Sequence, residues 1–491
     1  MTGERRIRGV SYVSVDVLYF ERRALRRHAG VWSLWALAVG AVISGHYSGW
    51  NIGLSTGGWG GMAIAGAVIA VMYVGLTCSI AEMAAALPHT GGAYSFARTA
   101  MGPWGGFLTG LAENVEYVLT PAVIVFFIGT YLTSIFDTPP AWQPLYWIGA
   151  YAVFVSLNVA GVELSFRVTV VATLLALGCL AVFWVAALPH AEFTGRALNI
   201  GPDGSLLPSG GGPLLPFGWS GVFATLPFAV WLFLAIEQLP LAAEESVDPR
   251  RDLPRGLLLG MLTLLVSAAL VVWLNPSVGG GAHALGSSGE PLLDGFKALF
   301  GDDVAKVLAL VALAGLVASF HAIIFAYGRQ IYSLSRAGYF PSGLSETHGA
   351  RRTPQRAMIA GAVLALAVMT VIWFGIGAER GAAVIGGTLL NMAVFGAMFS
   401  YLMQGLAYIG LRWRRPHIER PWSSPLGVAG AIVTIVIAAV TIGFQLADPV
   451  YRAGVIGVAV WFAVAIAYFA LVSRHRLILS PEEEFALDAR R

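Results

Sequence analysis

Residues 43–51, ISGHYSGWN, interrupt the apolar stretch of residues 32–56 with polar side chains and glycines. A second apolar stretch, residues 217–241, is interrupted by LAIEQLP at residues 234–240, where a Glu–Gln pair precedes a proline. Interrupted membrane helices expose backbone amides and carbonyls near the middle of the bilayer, where they bind substrates or ions. A glycine-rich stretch in a single helix is typical of a packing face. Two interrupted helices in one chain favour a binding site instead.

The composition places both stretches in a membrane. Hydrophobic residues make up 57% of the 491-residue chain and charged residues only 12%, whereas soluble domains carry about 25% charged residues. A membrane-spanning helix needs about 20 mostly apolar residues. Windows of that size predict twelve spans, at about residues 32–56, 60–87, 104–134, 145–160, 166–188, 217–241, 256–275, 303–334, 356–377, 382–410, 425–446 and 452–473.

The distribution of basic residues predicts the orientation of these spans. With the N-terminus in the cytoplasm, most of the 30 Lys and Arg residues fall in cytoplasmic segments. The exceptions are Arg196, Lys297, Lys306, Arg380 and Arg452. This asymmetry follows the positive-inside rule and predicts a multi-pass protein of the cell membrane with both termini in the cytoplasm.

The domain organisation follows from the two interruptions, which are five spans apart, the spacing that an inverted repeat of two five-helix halves would produce. Near the N-terminus, residues 11–28 alternate apolar residues with arginines, as in an amphipathic helix on the inner leaflet. A solvated basic tail is the alternative. We therefore divide the chain into a cytoplasmic N-terminal segment (1–30), a transporter core (31–410) with repeats at about 31–188 and 217–410, two C-terminal helices (411–474) and a cytoplasmic tail (475–491).

Three groups of motifs carry a family resemblance. AEMAAALP at residues 81–88 is followed by GGAY at 91–94, EESVDPRRDLPR spans residues 244–255, and YSLSRAGYFP spans residues 332–341. In this order they resemble the amino acid–polyamine–organocation (APC) permease superfamily. Within it, EYVLTPA at residues 116–122, together with the first interruption, looks most like the ethanolamine permease family.

The resemblance implies an all-α membrane protein of twelve transmembrane helices, with a LeuT-like 5 + 5 inverted-repeat, broken-helix core and two extra C-terminal helices. It also implies alternating access and a substrate site between spans 1, 3, 6, 8 and 10. Amino acid permeases usually carry Gly-Ser-Gly in span 1, where this chain has Ser44, Gly45 and His46, and ethanolamine-type relatives tend to have an acidic residue in place of His46. Some proton-coupled members place a lysine in span 5, which residues 168–184 of this chain lack.

Acidic residues of span 3 are the first candidates for the site. An ionisable residue at bilayer depth is costly unless it faces a cavity or a partner, so each is a functional candidate. Glu113 and Glu116 lie three residues apart on one helix face, and the rise of the helix places both near the middle of the membrane. They either attract an ammonium group or carry a proton, or they form a structural pair satisfied by the backbone or by Asn114.

Other candidates lie in the interruptions and in span 8. Glu237 either accepts a substrate hydroxyl or ammonium group or tethers the unwound segment. Trp231 matches the aromatic residue that stacks over substrate in related permeases, and a packing role is the alternative. His46 and His321 titrate near neutral pH and either relay protons or serve as hydrogen-bonded packing residues. The complete set of substrate-binding candidates is Ser44, Gly45, His46, Glu113, Glu116, Trp231, Ala235, Ile236, Glu237 and His321.

The predicted function is secondary active transport of a small organic amine such as ethanolamine, driven by a proton or by exchange. The alternative substrate is a neutral or basic amino acid. The chain has neither metal-spaced histidines nor a Gly-x-x-x-x-Gly-Lys-[Ser/Thr] loop, so we expect neither an enzyme nor an ATP-driven pump. The expected partners are the substrate, the lipid bilayer and a coupling proton, without a cofactor, a metal or nucleic acid. Charged residues at the predicted cytoplasmic ends of the spans are expected to form an inner gate: Glu82, Glu244, Glu245, Arg329 and Arg336.

Overall fold

The computed structural model describes residues 5–7, 9–13, 15, 17–198, 201, 212–347, 351–376 and 382–479. Most of the predicted cytoplasmic tail lies outside these described residues. The helices α1 to α16 are Val17–Glu21, Val31–Val42, Ile52–Ala86, Gly92–Met101, Pro103–Phe136, Gln143–Ala160, Val162–Ala187, Gly218–Val230, Pro249–Leu274, Gly281–Gly286, Pro291–Phe300, Asp302–Arg336, Gln355–Ile376, Ala382–Arg414, Gly427–Ala447 and Arg452–Leu471. Short 3₁₀- or π-helical segments are Ile43–His46, Pro140–Trp142, Leu188–His190, Phe193–Ala197, Ile236–Glu245, Ser342–Ser345, Pro449–Tyr451 and Ser473–His475.

Nine of the described helices are long and apolar enough to cross a membrane, namely α3, α5, α7, α9 and α12 to α16. The chain is therefore a multi-pass membrane protein. The other three of the twelve predicted spans correspond to shorter or more polar helices. The two interruptions cut α2 and α8 short, and α6 carries Gln143 and Asn158 near its ends, which lower its mean hydropathy.

The first interruption separates α2 from α3. After α2, residues Ile43–His46 form a 3₁₀-helix, turns follow, and the α-helix resumes at Ile52. Gly58, at φ 69°, then breaks α3 near its start, in a conformation that glycine adopts at little cost. Residues 52–57 therefore complete the first predicted span, and the remainder of α3 forms the second.

The second interruption follows α8, which gives way to turns at residues 231–235 and then to the 3₁₀-helix Ile236–Glu245. Ala235 has φ 82°, a left-handed conformation that is strained for residues other than glycine. The two interruptions touch each other, because the Trp231 carbonyl oxygen lies where a Cβ on Gly45 would sit. Glycine at residue 45 thus permits the close approach of the two broken helices.

Three short strands join both ends of the chain in a small sheet that the sequence analysis did not predict. The first two strands pair antiparallel and the second pairs in parallel with the third; β1, β2 and β3 are Arg5–Ile7, Val10–Val13 and Leu477–Ile478. Residues 11–28 thus begin as a strand, and within the described part of that range only α1 is α-helical, which corrects the prediction of a long amphipathic helix or a solvated tail. The physical reason is a period of two, with Val10 and Tyr12 both buried on one face of β2.

Candidate functional site

Three carboxyl side chains meet where the second interruption approaches α5. Glu113 and Glu116 belong to α5, and Glu237 lies in the first turn of the 3₁₀-helix Ile236–Glu245. Their exposed fractions are 1%, 0% and 3%, and they are close enough for their charges to interact. We call these three residues the acidic cluster. The spacing along span 3 predicted the first two as a pair, and the fold brings the third beside them.

Glu113 is the member of the cluster with both oxygens hydrogen-bonded. Its Oε2 accepts from Nε2 of Gln330 on α12 at 3.1 Å, and its Oε1 accepts from the Tyr117 hydroxyl at 3.5 Å. The Nδ2 atom of Asn114 has no hydrogen-bonding partner among the described residues. The structural interpretation of Glu113 is therefore supported, but its partners come from Gln330 and Tyr117 and not from Asn114.

Glu116 and Glu237 carry the unsatisfied oxygens of the cluster. Oε1 of Glu116 accepts from the Tyr401 hydroxyl of α14 at 3.3 Å, and that hydroxyl lies 3.1 Å from the Tyr73 hydroxyl of α3. Within the described chain, no group makes a hydrogen bond of good geometry to Glu116 Oε2, to either oxygen of Glu237 or to the side-chain amide of Gln238. The carboxyl of Glu237 does lie beside that of Glu116 and near the Tyr401 hydroxyl. Buried polar atoms are normally hydrogen-bonded, so this group of unsatisfied atoms is the expected place for a polar ligand.

No basic side chain in the described part of the chain forms an ion pair with the acidic cluster. Two arginines of α12 pair with other carboxylates instead, Arg329 with Glu245 at 2.8 Å and Arg336 with Glu244 at 2.5 Å. A buried carboxylate without a counter-ion is strongly unfavourable. The cluster therefore suits bound protons or a cationic ligand, either of which removes the uncompensated negative charge.

The backbone amides of the first interruption are largely occupied. The Ser44 amide donates to Ser319 Oγ of α12 at 2.9 Å. The Ser48 amide donates to the Ser44 carbonyl at 3.1 Å, and the Gly49 amide donates to Asn51 Oδ1 at 2.9 Å. A substrate carboxylate bound at a helix break requires free amides. In this conformation three of the amides around the break already have acceptors within the protein.

His46 joins the first interruption to the second and to α9. Its Nε2 lies 3.0 Å from the Leu232 carbonyl oxygen, and its Nδ1 lies 2.6 Å from Ser267 Oγ. Because a carbonyl only accepts, Nε2 carries the hydrogen, and Nδ1 of the neutral ring accepts from the Ser267 hydroxyl. The side chain is fully buried. These contacts favour the packing interpretation of His46 over a proton relay.

A His46→Leu variant is expected to be less stable without a selective loss of substrate affinity. The change leaves the Leu232 carbonyl and the Ser267 hydroxyl without partners in the interior, at a cost of about 1–3 kcal/mol for each group. Thermal unfolding in detergent measures this loss, and His190→Leu at an exposed position is the control. An unchanged unfolding temperature together with lost substrate binding would return His46 to the substrate site.

His321 connects α12 to α6 and α7 and has no described contact with the acidic cluster. Its Nδ1 accepts from Nδ2 of Asn158 at 3.0 Å, and its Nε2 lies 3.0 Å from Ser165 Oγ and 3.2 Å from the Ser165 carbonyl. Asn158 also donates to the His321 carbonyl at 3.2 Å. This arrangement is that of a satisfied packing histidine at a three-helix junction.

Trp231 lies between the two interruptions. Its Nε1 donates to the Ser48 carbonyl at 3.0 Å, and the side chain is 2% exposed. The hydrogen bond supports a packing role, and stacking over a substrate stays a prediction. Ala235 and Ile236, which precede Glu237, are both fully buried. The strained backbone at Ala235 places the carboxyl of Glu237 next to that of Glu116.

Four of the five charged residues expected at the inner gate form neighbouring ion pairs. Arg329 donates from Nε and Nη2 to the two carboxylate oxygens of Glu245, at 3.1 and 2.8 Å, and both side chains are completely buried. Arg336 pairs with Glu244 one position earlier. These pairs join α12 to the 3₁₀-helix Ile236–Glu245 and close the site at the end predicted to face the cytoplasm.

Glu82 belongs to a separate group. Its carboxylate accepts from Arg412 Nη2 at 2.6 Å, lies 3.1 Å from Arg420 Nε, and accepts from the Tyr408 hydroxyl at 2.8 Å. These contacts join the end of α3 to α14 and the segment after it. Glu82 is thus paired with different helices from the other expected gate residues.

The opposite end of the site is also closed. Asn51 Nδ2 donates to the carbonyls of Leu285 and Ser288, at 2.7 and 2.9 Å. The Ser134 hydroxyl of α5 donates to Glu290 Oε1 at 2.8 Å. Burial raises the pKa of Glu290 above its usual range, although the hydrogen bond from Ser134 opposes this shift. With ion pairs at one end and these contacts at the other, the acidic cluster is enclosed by protein.

Sequence reasoning missed the residues that surround the cluster from other helices. Tyr73, Tyr401 and Gln330 are polar residues inside apolar segments, which was the available signal. Many polar residues in the same spans bond only to their own helix, as Thr109 does with the Gly105 carbonyl. Spacing along one helix does not distinguish the residues around the cluster from those that bond to their own helix. The distinction depends on which other helix packs against each side chain.

Known proteins match this chain over most of its length. A family model described as amino acid permease matches residues 30–472. An uncharacterized transporter of Rhizobium meliloti (strain 1021) is 28% identical over 422 residues, covering 85% of this chain and 86% of its own. In Bacillus subtilis (strain 168), a methylthioribose transporter is 23% identical over 487 residues (93% and 96% of the two chains) and a branched-chain amino acid permease, BcaP, is 22% identical over 426 residues (82% and 84%). Because the family model covers most of the chain, this protein belongs to the amino acid permease family and is a transporter, not an enzyme.

Proposed function

We propose that this permease moves a small organic amine, such as ethanolamine, across the cell membrane by alternating access. The observation that carries the proposal is the acidic cluster, which is buried, unpaired with any basic side chain among the described residues and rich in unsatisfied oxygens. An ammonium group offers up to three donors and one positive charge, which matches these oxygens. The proposed architecture is a LeuT-like core of two inverted five-helix repeats followed by two C-terminal helices, with both termini in the cytoplasm.

The proposed binding mode assigns the ammonium group to Glu237 and Glu116. The hydroxyl end of ethanolamine then lies by the unpartnered side-chain amide of Gln238, which offers both a donor and an acceptor. Glu113, already bonded to Gln330 and Tyr117, sets the negative potential without direct contact. Among the described residues, no three metal-ligating side chains are arranged to hold a metal ion, so an organic cation fits this chemistry better than a metal ion.

Coupling follows from the same charges. An empty site with three carboxyl groups is stabilised when protons neutralise it. A bound cationic amine supplies positive charge in place of these protons. We propose that protons and substrate alternate on the acidic cluster, which gives proton-coupled transport or exchange of one cation for another.

A neutral or basic amino acid is the second candidate substrate. It is favoured by one relative whose name specifies branched-chain amino acids and by another, of Pseudomonas aeruginosa, named a probable GABA permease, 25% identical over 427 residues. A carboxylate-bearing substrate requires amides that the first interruption uses internally in this conformation. It also brings a negative charge toward three carboxyl groups, which is why we place the amine first.

Uptake by the purified full-length protein in proteoliposomes tests this order. Labelled ethanolamine is expected to accumulate inside the proteoliposomes, and to do so faster when a pH gradient is imposed across the membrane. Unlabelled amines are expected to compete with this uptake better than zwitterionic amino acids do. Empty liposomes are the control. Competition by zwitterionic amino acids with none by amines would overturn the ethanolamine assignment and leave the amino acid permease.

A further inference from the structure

An apolar groove runs between α7 and α12 on the outer surface of the protein. Its volume is about 490 Å³. It is lined by Val171 and Leu175 of α7 and by Leu310 and Val317 of α12, together with neighbouring side chains that include Leu313 and Ala314. Val171, Leu175 and Leu310 have exposed fractions of 57%, 51% and 48%. On a multi-pass membrane protein, exposed aliphatic side chains of this kind face the hydrocarbon of the bilayer.

A second cavity, of about 320 Å³, lies at the start of α7 and is basic. It is lined by Arg26 from the N-terminal segment, Arg167 of α7 and Arg351 from the segment before α13. Glu163 is the acidic residue of its lining and lies 2.6 Å from Arg167, with both side chains largely exposed. Exposed ion pairs of this type are weak, so the cavity keeps a surplus of positive charge.

Arg167 lines both cavities, so the basic pocket and the apolar groove adjoin at this residue. From Arg167 to Leu175, α7 rises about 12 Å. One leaflet of a bilayer has a hydrocarbon thickness of about 15 Å. The groove thus has the length of most of an acyl chain that begins at the arginines, and the predicted orientation places those arginines at the cytoplasmic surface.

We propose that the basic pocket and the apolar groove together bind an anionic phospholipid of the cytoplasmic leaflet. The phosphate lies among Arg26, Arg167 and Arg351, and one acyl chain lies along the groove. The match rests on charge and shape together. A free phosphate would leave the apolar groove unfilled, and a neutral lipid would leave the positive charges of the arginines without a counter-ion. Arginine forks suit phosphate oxygens in particular.

The position of the site connects it to transport. The basic pocket also includes Ala160 and Gly161, where α6 ends and α7 begins. Asn158 and Ser165, on either side of that junction, hold His321 of α12. A lipid seated across α7 and α12 therefore reinforces the same helix contacts. We expect an anionic lipid to stabilise this closed conformation.

The test uses the full-length protein in detergent with defined lipids. Phosphatidylglycerol is expected to raise the unfolding temperature and to remain bound in native mass spectra, whereas phosphatidylcholine is expected to do neither. In the double variant R167Q/R351Q, phosphatidylglycerol should bind roughly 30-fold more weakly, because each arginine contributes to the attraction of anionic lipid. R250Q/R251Q, at two exposed arginines at the start of α9, removes the same number of charges and is the control; it should bind like the unaltered protein.

A second pair of variants tests the groove apart from the charges. Ala314→Trp fills the groove and is expected to weaken phosphatidylglycerol retention. Ala463→Trp, at an exposed position on α16, is the control. Inorganic phosphate and glycerol phosphate are added in parallel, and neither should reproduce the shift. The proposal is overturned if phosphatidylcholine or free phosphate stabilises equally, or if R167Q/R351Q and Ala314→Trp both bind phosphatidylglycerol like their controls.

Discussion

A Glu237→Gln variant is expected to bind ethanolamine about 10- to 100-fold more weakly than the unaltered protein, because a hydrogen bond to a charged group contributes about 1.5–3 kcal/mol. Glutamine keeps the size of the side chain and removes only the charge. Neither oxygen of Glu237 accepts a hydrogen bond of good geometry from the described residues, and its nearest polar neighbours are Glu116 and Tyr401, so the substrate is the expected donor to it. Equilibrium binding of labelled ethanolamine to the detergent-solubilised protein measures the change.

The three carboxyl groups are expected to differ in a fixed order. Glu116→Gln removes a carboxylate with one unpartnered oxygen and should weaken binding less than Glu237→Gln. Glu113→Gln should have the smallest effect of the three, since both of its oxygens already accept hydrogen bonds from Gln330 and Tyr117. The structure thus divides the pair that the sequence analysis treated alike.

The control for this series is Glu419→Gln, where the side chain is 79% exposed. It removes one negative charge from the same protein without touching the acidic cluster and should leave ethanolamine affinity unchanged. Unaltered affinity in both Glu237→Gln and Glu116→Gln would rule out the acidic cluster as the amine site. An equal loss in Glu419→Gln would assign the effect to net charge and not to a contact.

The second large effect is expected at the buried ion pair of Arg329 and Glu245. Removing one partner of a buried pair costs about 3–5 kcal/mol, because the other charge is left uncompensated in the interior. Arg329→Met should therefore lower the unfolding temperature strongly. The guanidinium also lies over the Phe325 ring at 3.5 Å, and methionine keeps part of that packing, so the loss reports mainly on the charge.

A double variant separates the charge from the packing. Arg329→Met combined with Glu245→Met removes both charges and should recover much of the stability lost in Arg329→Met alone. The matched exposed pair is Arg356 and Glu346, whose side chains are 61% and 48% exposed. Arg356→Met should change stability by less than about 1 kcal/mol. If the double variant is no more stable than Arg329→Met, the pair does not act through its charges.

We expect the same pair to act as a gate in the transport cycle. It joins α12 to the 3₁₀-helix that follows the second interruption, at the end predicted to be cytoplasmic. Opening the acidic cluster to the cytoplasm requires these elements to separate. Loss of the pair is therefore expected to increase labelling of a cysteine introduced at Gln238 by a membrane-impermeant thiol reagent applied from the cytoplasmic side, with the native Cys78 and Cys179 replaced by alanine.

The membrane character of the chain and both helix interruptions follow from the sequence by itself. Hydropathy and helix-breaking residues act locally, so apolar windows and a Glu–Gln–Pro run are informative without knowledge of their neighbours. Nine of the twelve windows correspond to described helices that are long and apolar enough to cross a membrane, and α2 and α8 are shorter because the interruptions cut them. The buried acidic residues were also identifiable from sequence, because any carboxylate at that depth is unusual.

The tertiary structure alone decided which polar residues remain available to a ligand. His46 and Glu237 both lie in interruptions. Ser267 and the Leu232 carbonyl satisfy both ring nitrogens of His46, whereas neither carboxyl oxygen of Glu237 accepts a hydrogen bond of good geometry from the described residues. Pairing of β2 with β3 likewise joins residues at opposite ends of the chain. The physical reason is that hydrogen bonding is short-ranged and saturable. Whether a buried group is satisfied therefore depends on the helix packed against it, which sequence periodicity along a single helix does not specify.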